Sequence, residues 1–238
     1  MISVKGLVKG FHDQVVLKDI NFQINEGELL FILGESGSGK SVLLQHMIGL
    51  MKPDQGTITI DGEEITCLPE KRLLKIREKI GYLFQEGALY DFMTVSENVA
   101  FPLREHTKLK AEAIDKKVQK VLAMVGLEDA GEKYPSELSG GMNKRAALAR
   151  SIILDSKILF CDEPTSGLDP IKSREISDLI KNIKVQMNCT TVVTSHDIQN
   201  ALRIADRLIL IRDGAIVAEG NPDKLVASQD HFVKEFFG

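Results

Sequence analysis

The octet Gly34-Glu35-Ser36-Gly37-Ser38-Gly39-Lys40-Ser41, which spells G-x-x-x-x-G-K-S, stands between the apolar run Glu28-Leu29-Leu30-Phe31-Ile32-Leu33 and the segment Val42-Leu43-Leu44. No other feature of the chain limits its fold as tightly. A strand must end in a loop whose backbone N–H groups all turn inward, and glycine permits this because it has no Cβ and tolerates positive φ. Such a loop cradles phosphate: Lys40 reaches β- and γ-phosphates, and the Ser41 hydroxyl holds Mg²⁺. A Gly-rich turn without a ligand is the weaker alternative, because the specified positions match by accident in roughly one chain in a hundred of this size.

At 238 residues and 43% hydrophobic content, the chain suffices for one large core or two coupled lobes. Its net charge of -4 creates no general attraction to nucleic acid or anionic membrane, so no nucleic-acid partner is expected. Cys67, Cys161 and Cys189 are odd in number, widely spaced and free of any C-x-x-C pattern, and are expected as small buried side chains in a reducing compartment. No apolar stretch approaches the ~18 residues that span a bilayer, and Met1-Ile2-Ser3-Val4-Lys5 does not open a secretion signal. These features predict a soluble, cytoplasmic protein.

Strands are expected over Ile2 to Val8, Val15 to Ile24, Glu28 to Leu33 and Thr57 to Ile60, the last ending in the hairpin signal Asp61-Gly62. From about Leu109 the period becomes helical, with Ile114, Val118, Val121, Leu122 and Val125 on one face and Gly126 as the stop. A second helix is expected over Met142 to Leu154, then a strand over Lys157 to Asp162. From Ser173, the residues Ile176, Leu179, Ile180, Ile183 and Met187 mark another helix, and Thr190 to Thr194 is β-branched and strand-like. Leu208 to Ile211, Asp213-Gly214 and Ala215 to Ala218 read as a closing hairpin. Strands that alternate with helices predict a largely parallel sheet flanked by helices.

Ser139-Gly140-Gly141 precedes a helix rich in Ala, Leu and Arg, whose free N–H groups make a second potential anion site. Taken alone, the segment reads better as a serine N-cap. In context, Leu138-Ser139-Gly140-Gly141-Met142 resembles the signature motif of ABC ATPases, and further motifs follow in that family's order along essentially the whole chain. The resemblance implies an α/β P-loop NTPase with a RecA-like core, an N-terminal antiparallel β subdomain and an inserted α-helical subdomain. It implies one domain over 1–238, with the core in 1–85 and 155–238 and the helical signature subdomain in 86–154. It also implies ATP and Mg²⁺ as ligands and a head-to-tail homodimer with composite sites. There Gly34, Glu35, Ser36, Gly37, Ser38, Gly39, Lys40, Ser41 and Val42 hold the nucleotide, while Ser139, Gly140, Gly141 and Met142 act in trans. The family's usual fifth signature residue is Gln, and Met142 packs but donates no amide hydrogen bond.

Ile158-Leu159-Phe160-Cys161-Asp162-Glu163 delivers two carboxylates to a strand end, which suits a metal ligand beside a base. By resemblance, Asp162 is the Mg²⁺ ligand of the Walker B motif and Glu163 polarises the attacking water. Asp169 reads as an N-cap with Pro170 at N1, and by resemblance also lines the dimer seam as the D-loop aspartate. Gln85, in Tyr82-Leu83-Phe84-Gln85, matches the Q-loop that touches the metal or the lytic water. His196 matches the switch histidine on the γ-phosphate, whereas His12, His46, His106 and His231 are better read as solvent-exposed. Phe11 resembles the aromatic that stacks on adenine, and a core aromatic beside a strand is nearly as good a reading.

The stretch from Phe84 to His106, together with Ser136 to Ile152, looks like the ATPases that serve MCE-protein (Mla-type) phospholipid transporters. That resemblance implies phospholipid movement between inner and outer membranes, with an integral membrane permease and an MCE-domain protein. The family also has a small STAS-domain partner. The cassette would sit peripherally on the cytoplasmic face of the inner membrane and receive the permease around Glu86 to His106, including the Leu103 to Glu105 surface. Pro102 is also readable as a turn into a helix. An importer ATPase for a small solute such as an amino acid shares every catalytic motif, and a soluble regulatory ATPase is a further alternative. The tail residues Leu225, Val226, Phe232, Val233, Phe236 and Phe237 are expected to be buried, either on their own core or on the second protomer.

Overall fold

The computed structural model describes residues 1–12 and 14–237. Its contacts divide the chain into one unit of Met1–Arg77 with Thr190–Gly238 and a second of Glu78–Cys189. The helical segment 86–154 marked out from sequence lies inside the second unit.

The first unit begins with β1 (Ile2–Phe11) and β2 (Gln14–Ile24), an antiparallel pair that sets Ile2 opposite Ile24. Alternate apolar residues, Ile2 and Val4 in β1 and Ile20, Phe22 and Ile24 in β2, are buried, which is the period-two pattern of a half-buried sheet. Next come β3 (Leu29–Leu33), α1 (Lys40–Met47), β4 (Gln55–Ile60), the short β5 (Glu63–Glu64) and α2 (Glu70–Arg77). β4 pairs antiparallel with β1, and the Asp61-Gly62 turn into β5 has φ of 51° and 80°, as its sequence predicts. α2 left no apolar periodicity to detect, because Leu73 is its one buried residue.

The second unit holds β6 (Ile80–Leu83), α3 (Val95–His106), α4 (Ala111–Met124), α5 (Gly140–Ile152), β7 (Ile158–Asp162) and α6 (Pro170–Met187), with β6 and β7 parallel. Pro102 lies inside α3 rather than at its entrance. The helix begins earlier because Thr94 and Glu97 form a reciprocal capping box. The buried Asn98 side chain also accepts from Tyr90 N and donates to the carbonyls of Tyr90, Met93 and Thr94. That anchoring tolerates the single helical bond that proline forfeits. Leu103 is 1% exposed, so it belongs to the core of this unit and not to a docking surface, while Arg104 and Glu105 are exposed. α4 buries Ile114, Val118, Val121 and Leu122 as its periodicity predicts, and Gly126 follows with φ 68°.

The chain returns to the first unit with β8 (Thr190–Ser195), α7 (Ile198–Ile204), β9 (Arg207–Arg212), β10 (Ala215–Gly220), α8 (Pro222–Val226) and α9 (His231–Phe237). β3 runs parallel to β8 on one side and β9 on the other, and β9 and β10 form the expected closing hairpin. Every residue of β3 and β8 is buried. Unbroken apolar or β-branched runs, without alternation, are what strands covered on both faces require.

Two further expectations are corrected. Cys67 is exposed, whereas Cys161 and Cys189 are buried, since Cys67 lies in the irregular connection between β5 and α2. His46 is 1% exposed, because it shares α1 with the buried Leu43, Leu44 and Met47. In the tail, Leu225, Val233 and Phe237 are buried within the chain, and Val226 is 52% exposed at the end of α8. Among the described residues, no helix is long and apolar enough to cross a membrane.

Candidate active site

In the first unit, β3 stops at Leu33 and α1 starts at Lys40, so the glycine loop joins a buried strand to a helix N-terminus. Gly39 caps α1 with φ 102°, and a Cβ there would lie 2.8 Å from Leu17 Cδ2. Gly34 has no room either, since a Cβ would fall 2.4 Å from the Ile211 carbonyl oxygen. No side chain caps α1, and the positive end of its dipole favours an anion at this loop. The Lys40 ammonium is 6% exposed and donates to the carbonyls of Gly34 at 2.9 Å and Glu35 at 3.0 Å, so it is held at the loop itself. Ser38 is 8% exposed, and its Oγ has no hydrogen-bond partner among the described residues. Glu35, Ser36 and Gly37 are exposed, and Ser41 and Val42 are half-buried.

A cavity of about 200 Å³ borders the loop and is lined in part by Val16, Glu35, Ser38, Arg212, Phe232 and Phe236. The Arg212 guanidinium lies 4.1 Å from the Phe232 ring centroid, which ties α9 to the β9–β10 turn. Phe11 ends β1 and is 39% exposed, as a stacking platform requires and a core aromatic does not. His196 is exposed in the turn from β8 into α7. Its neighbours are fixed by Asp197 N, which donates to Ser195 Oγ at 2.9 Å, and by Asn200 N, which donates to Asp197 at 3.1 Å.

In the second unit, Asp162 closes the wholly buried β7 and is 6% exposed. The Tyr82 hydroxyl donates to Asp162 Oδ2 at 3.3 Å. Burial, with the Asp162 charge beside it, pushes the Tyr82 phenol far above its ordinary value, so it remains a donor that orients the carboxylate. Glu163 is 8% exposed and has φ 45°, a left-handed conformation that costs a β-substituted residue energy and clusters at functional positions. Gln85 is exposed just past β6, and its carbonyl accepts from the Lys144 ammonium, which also donates to Ser166 Oγ at 3.4 Å.

Ser139 and Gly140 are exposed at the start of α5, and Ser139 Oγ accepts from Met142 N at 3.4 Å, as an N-cap does. Gly141 is buried and Met142 half-buried. Asp169 caps α6 by accepting from Lys172 N at 3.0 Å, with Pro170 at N1. Both helix tips therefore have the local form read from sequence. Each unit thus collects its own set: the loop, Phe11 and His196 in the first, and Gln85, the signature, the paired carboxylates and Asp169 in the second.

Sequence reasoning missed Tyr82 and Lys144. Their partners lie 80 and 59 residues away, and the only local hint was a lysine on the buried side of an Ala-rich helix.

Residues 17–166 match the family model described as ABC transporter. The chain is 43% identical over 236 residues to a Haemophilus influenzae protein named intermembrane phospholipid transport system ATP-binding protein MlaF, covering 99% of this chain and 89% of that protein. It is 42% identical over 235 residues to a Mycobacterium leprae protein named probable ribonucleotide transport ATP-binding protein mkl. It spans 68% of that protein's length, and 66% of its Mycobacterium tuberculosis counterpart. Among solved structures, a dimeric post-hydrolysis ATP-binding cassette bound to ADP and Pi superposes with a TM-score of 0.86 at 34% identity, covering 93% of this chain and 99% of that one. With a family model spanning most of the chain, a glycine loop at a helix start and a capped signature helix, the chain belongs to the ABC transporter family as one of its ATP-hydrolysing cassettes.

Proposed function

We propose that this cassette powers phospholipid transport between membranes, working as a homodimer in which each ATP is enclosed by the glycine loop of one copy and the signature helix of the other. The observation that carries the lipid reading is the 43% identity to a phospholipid-transport ATPase over nearly the whole of both chains. The dimer is supported by the 34% identical cassette solved as a dimer with ADP and Pi.

In this reading Gly34 to Val42 bind the phosphates through backbone N–H groups, and Lys40 balances charge on the β- and γ-phosphates. Phe11 stacks on the base. Glu163 orients the attacking water and accepts its proton, while His196 contacts the γ-phosphate. Ser139, Gly140, Gly141 and Met142 offer the tip of α5 to the γ-phosphate of the partner's nucleotide, and Asp169 lines the seam between copies. The Ser41 hydroxyl, the Gln85 amide oxygen and the Asp162 carboxylate are hard oxygen donors of the kind Mg²⁺ prefers, and Tyr82 already orients the carboxylate. Bound to these residues, the ion would neutralise charge on the phosphate oxygens.

In this reading the motor's partners are an integral permease and an MCE-domain protein, with the cassette held peripherally at the cytoplasmic face of the inner membrane. The 42% identity to a mycobacterial protein named for ribonucleotide transport favours a second reading, in which a small polar solute is the cargo. Purifying the tagged chain in mild detergent and identifying its companions by mass spectrometry separates them. Recovery of a permease with an MCE protein supports lipid transport, and recovery with a solute-binding protein overturns it in favour of import. Recovery of no integral protein overturns both.

A further inference from the structure

The end of β1 that carries Phe11 is irregularly paired, although its ladder with β2 runs on to Phe11 and Gln14. Pairing with β2 shifts register between Leu7 and Lys9 and again between Lys9 and Gly10, and pairing with β4 shifts between Lys5 and Val8. Such irregularities re-aim side chains and weaken the ladder that would fix them. Asp54, in the connection between α1 and β4, takes over. Its Oδ1 accepts from Lys9 Nζ at 2.8 Å, its Oδ2 accepts from Gly10 N at 2.7 Å, and its own N donates to the Val8 carbonyl at 2.9 Å. One residue thereby grips three consecutive positions leading to Phe11. The Lys9 ammonium, so placed, lies 5.4 Å from the Phe11 ring centroid, within cation–π range. A cation occupies one ring face only, and the ring remains 39% exposed.

We infer that Asp54 and Lys9 are positioning residues for base recognition: Asp54 pins the irregular strand end, and Lys9 braces one face of Phe11 so that the remaining ring surface meets the purine of the nucleotide. This rests on Phe11 being the stacking residue proposed above. Neither side chain needs to touch the nucleotide. Their contribution therefore falls on ligands that carry a base and spares those that carry phosphates alone.

The chain contains no tryptophan, so Phe11→Trp installs a single fluorescent reporter at the stacking position. The full-length chain carrying this substitution is titrated with ATP and with tripolyphosphate, alone and combined with Asp54→Ala, Lys9→Met or Lys9→Arg. Affinities are also measured calorimetrically with Phe11 intact. Asp54→Ala and Lys9→Met should each weaken ATP binding by about two- to fivefold, the range of one exposed cation–π contact, and reduce the ATP-induced change in tryptophan emission. Tripolyphosphate affinity should not change, and Lys9→Arg should restore ATP binding. Equal weakening of both ligands would overturn the inference, because a damaged phosphate loop or a general folding defect predicts that result. Undiminished ATP affinity in both variants, with normal reporter response, would overturn it as well. If ATP binds the reporter chain without altering its emission, the stacking reading of Phe11 fails and the inference fails with it.

Discussion

Lys144→Met tests whether a buried charge on the signature helix organises the catalytic loops of the second unit. Lys144 is 8% exposed, and its ammonium donates to the Gln85 carbonyl and to Ser166 Oγ, the latter at 3.4 Å. Burial pulls its pKa below the ordinary lysine value, against the opposing pull of Glu86 and Glu163. Methionine nearly matches the length and volume of the stem, so the packing change is small. The main loss is the donor. Leaving the part-buried Gln85 carbonyl without its charged partner costs at most roughly 1–3 kcal/mol, and relief from burying the ammonium offsets part of that, so the net destabilisation should be about 1–2 kcal/mol. For a chain of this length each kcal/mol lowers Tm by about 2–4 °C, which places the expected shift near 2–8 °C. In the assembled transporter, kcat should fall by more than the stability loss explains, because the Gln85 segment and the loop after Glu163 lose their common anchor. ATP affinity of the isolated chain should hold, since the glycine loop belongs to the other unit. Tm by scanning calorimetry, ATP affinity by titration and steady-state turnover separate these effects. A variant as stable and as active as its parent would refute the reasoning, because the Lys144 hydrogen bonds would then hold neither loop in place.

Three further outcomes are expected. Glu163→Gln should bind ATP and remain as an ATP-dependent dimer on gel filtration while turnover drops by at least a hundredfold, a loss on the scale general-base catalysis supplies; near-normal turnover would remove Glu163 from its role. His46, held below its ordinary pKa first by burial, with Lys9 also disfavouring its charge and Asp54 favouring it, binds a proton more readily unfolded than folded. Its contribution to stability is therefore complete above about pH 6.5 and lost as pH falls, with a slope not exceeding ~1.4 kcal/mol per pH unit. Urea unfolding between pH 8 and 5 should show this slope in the parent and a shallower one in His46→Gln, and equal slopes would contradict the assignment. Thr94→Ala removes the α3 capping box and should cost about 1 kcal/mol in urea titrations, with Thr94→Ser recovering most of it.

The phosphate loop, the Asp61-Gly62 and Asp213-Gly214 turns, the α4 face and the Asp169-Pro170 helix start were all legible in the chain's letters. Each is a local event, in which backbone torsions, caps and periodic burial are set by residues within a turn or two of one another. Other features required the folded chain. Tyr82 meets Asp162 and Lys144 meets Gln85 only because parallel strands and the signature helix return distant segments to one place. Burial reversed the reading of His46 and Leu103 and exposed Cys67, since which face of an element is covered depends on what packs against it. Pro102 sits inside a helix because capping and the Asn98 hydrogen bonds outweigh one missing donor, and local propensity alone cannot weigh those terms. Short-range sterics and hydrogen bonding therefore determined the phosphate-gripping loop from sequence alone, while the partners and exposure of the residues around the chemistry were decided by long-range packing, whose contacts form only once the chain has closed on itself.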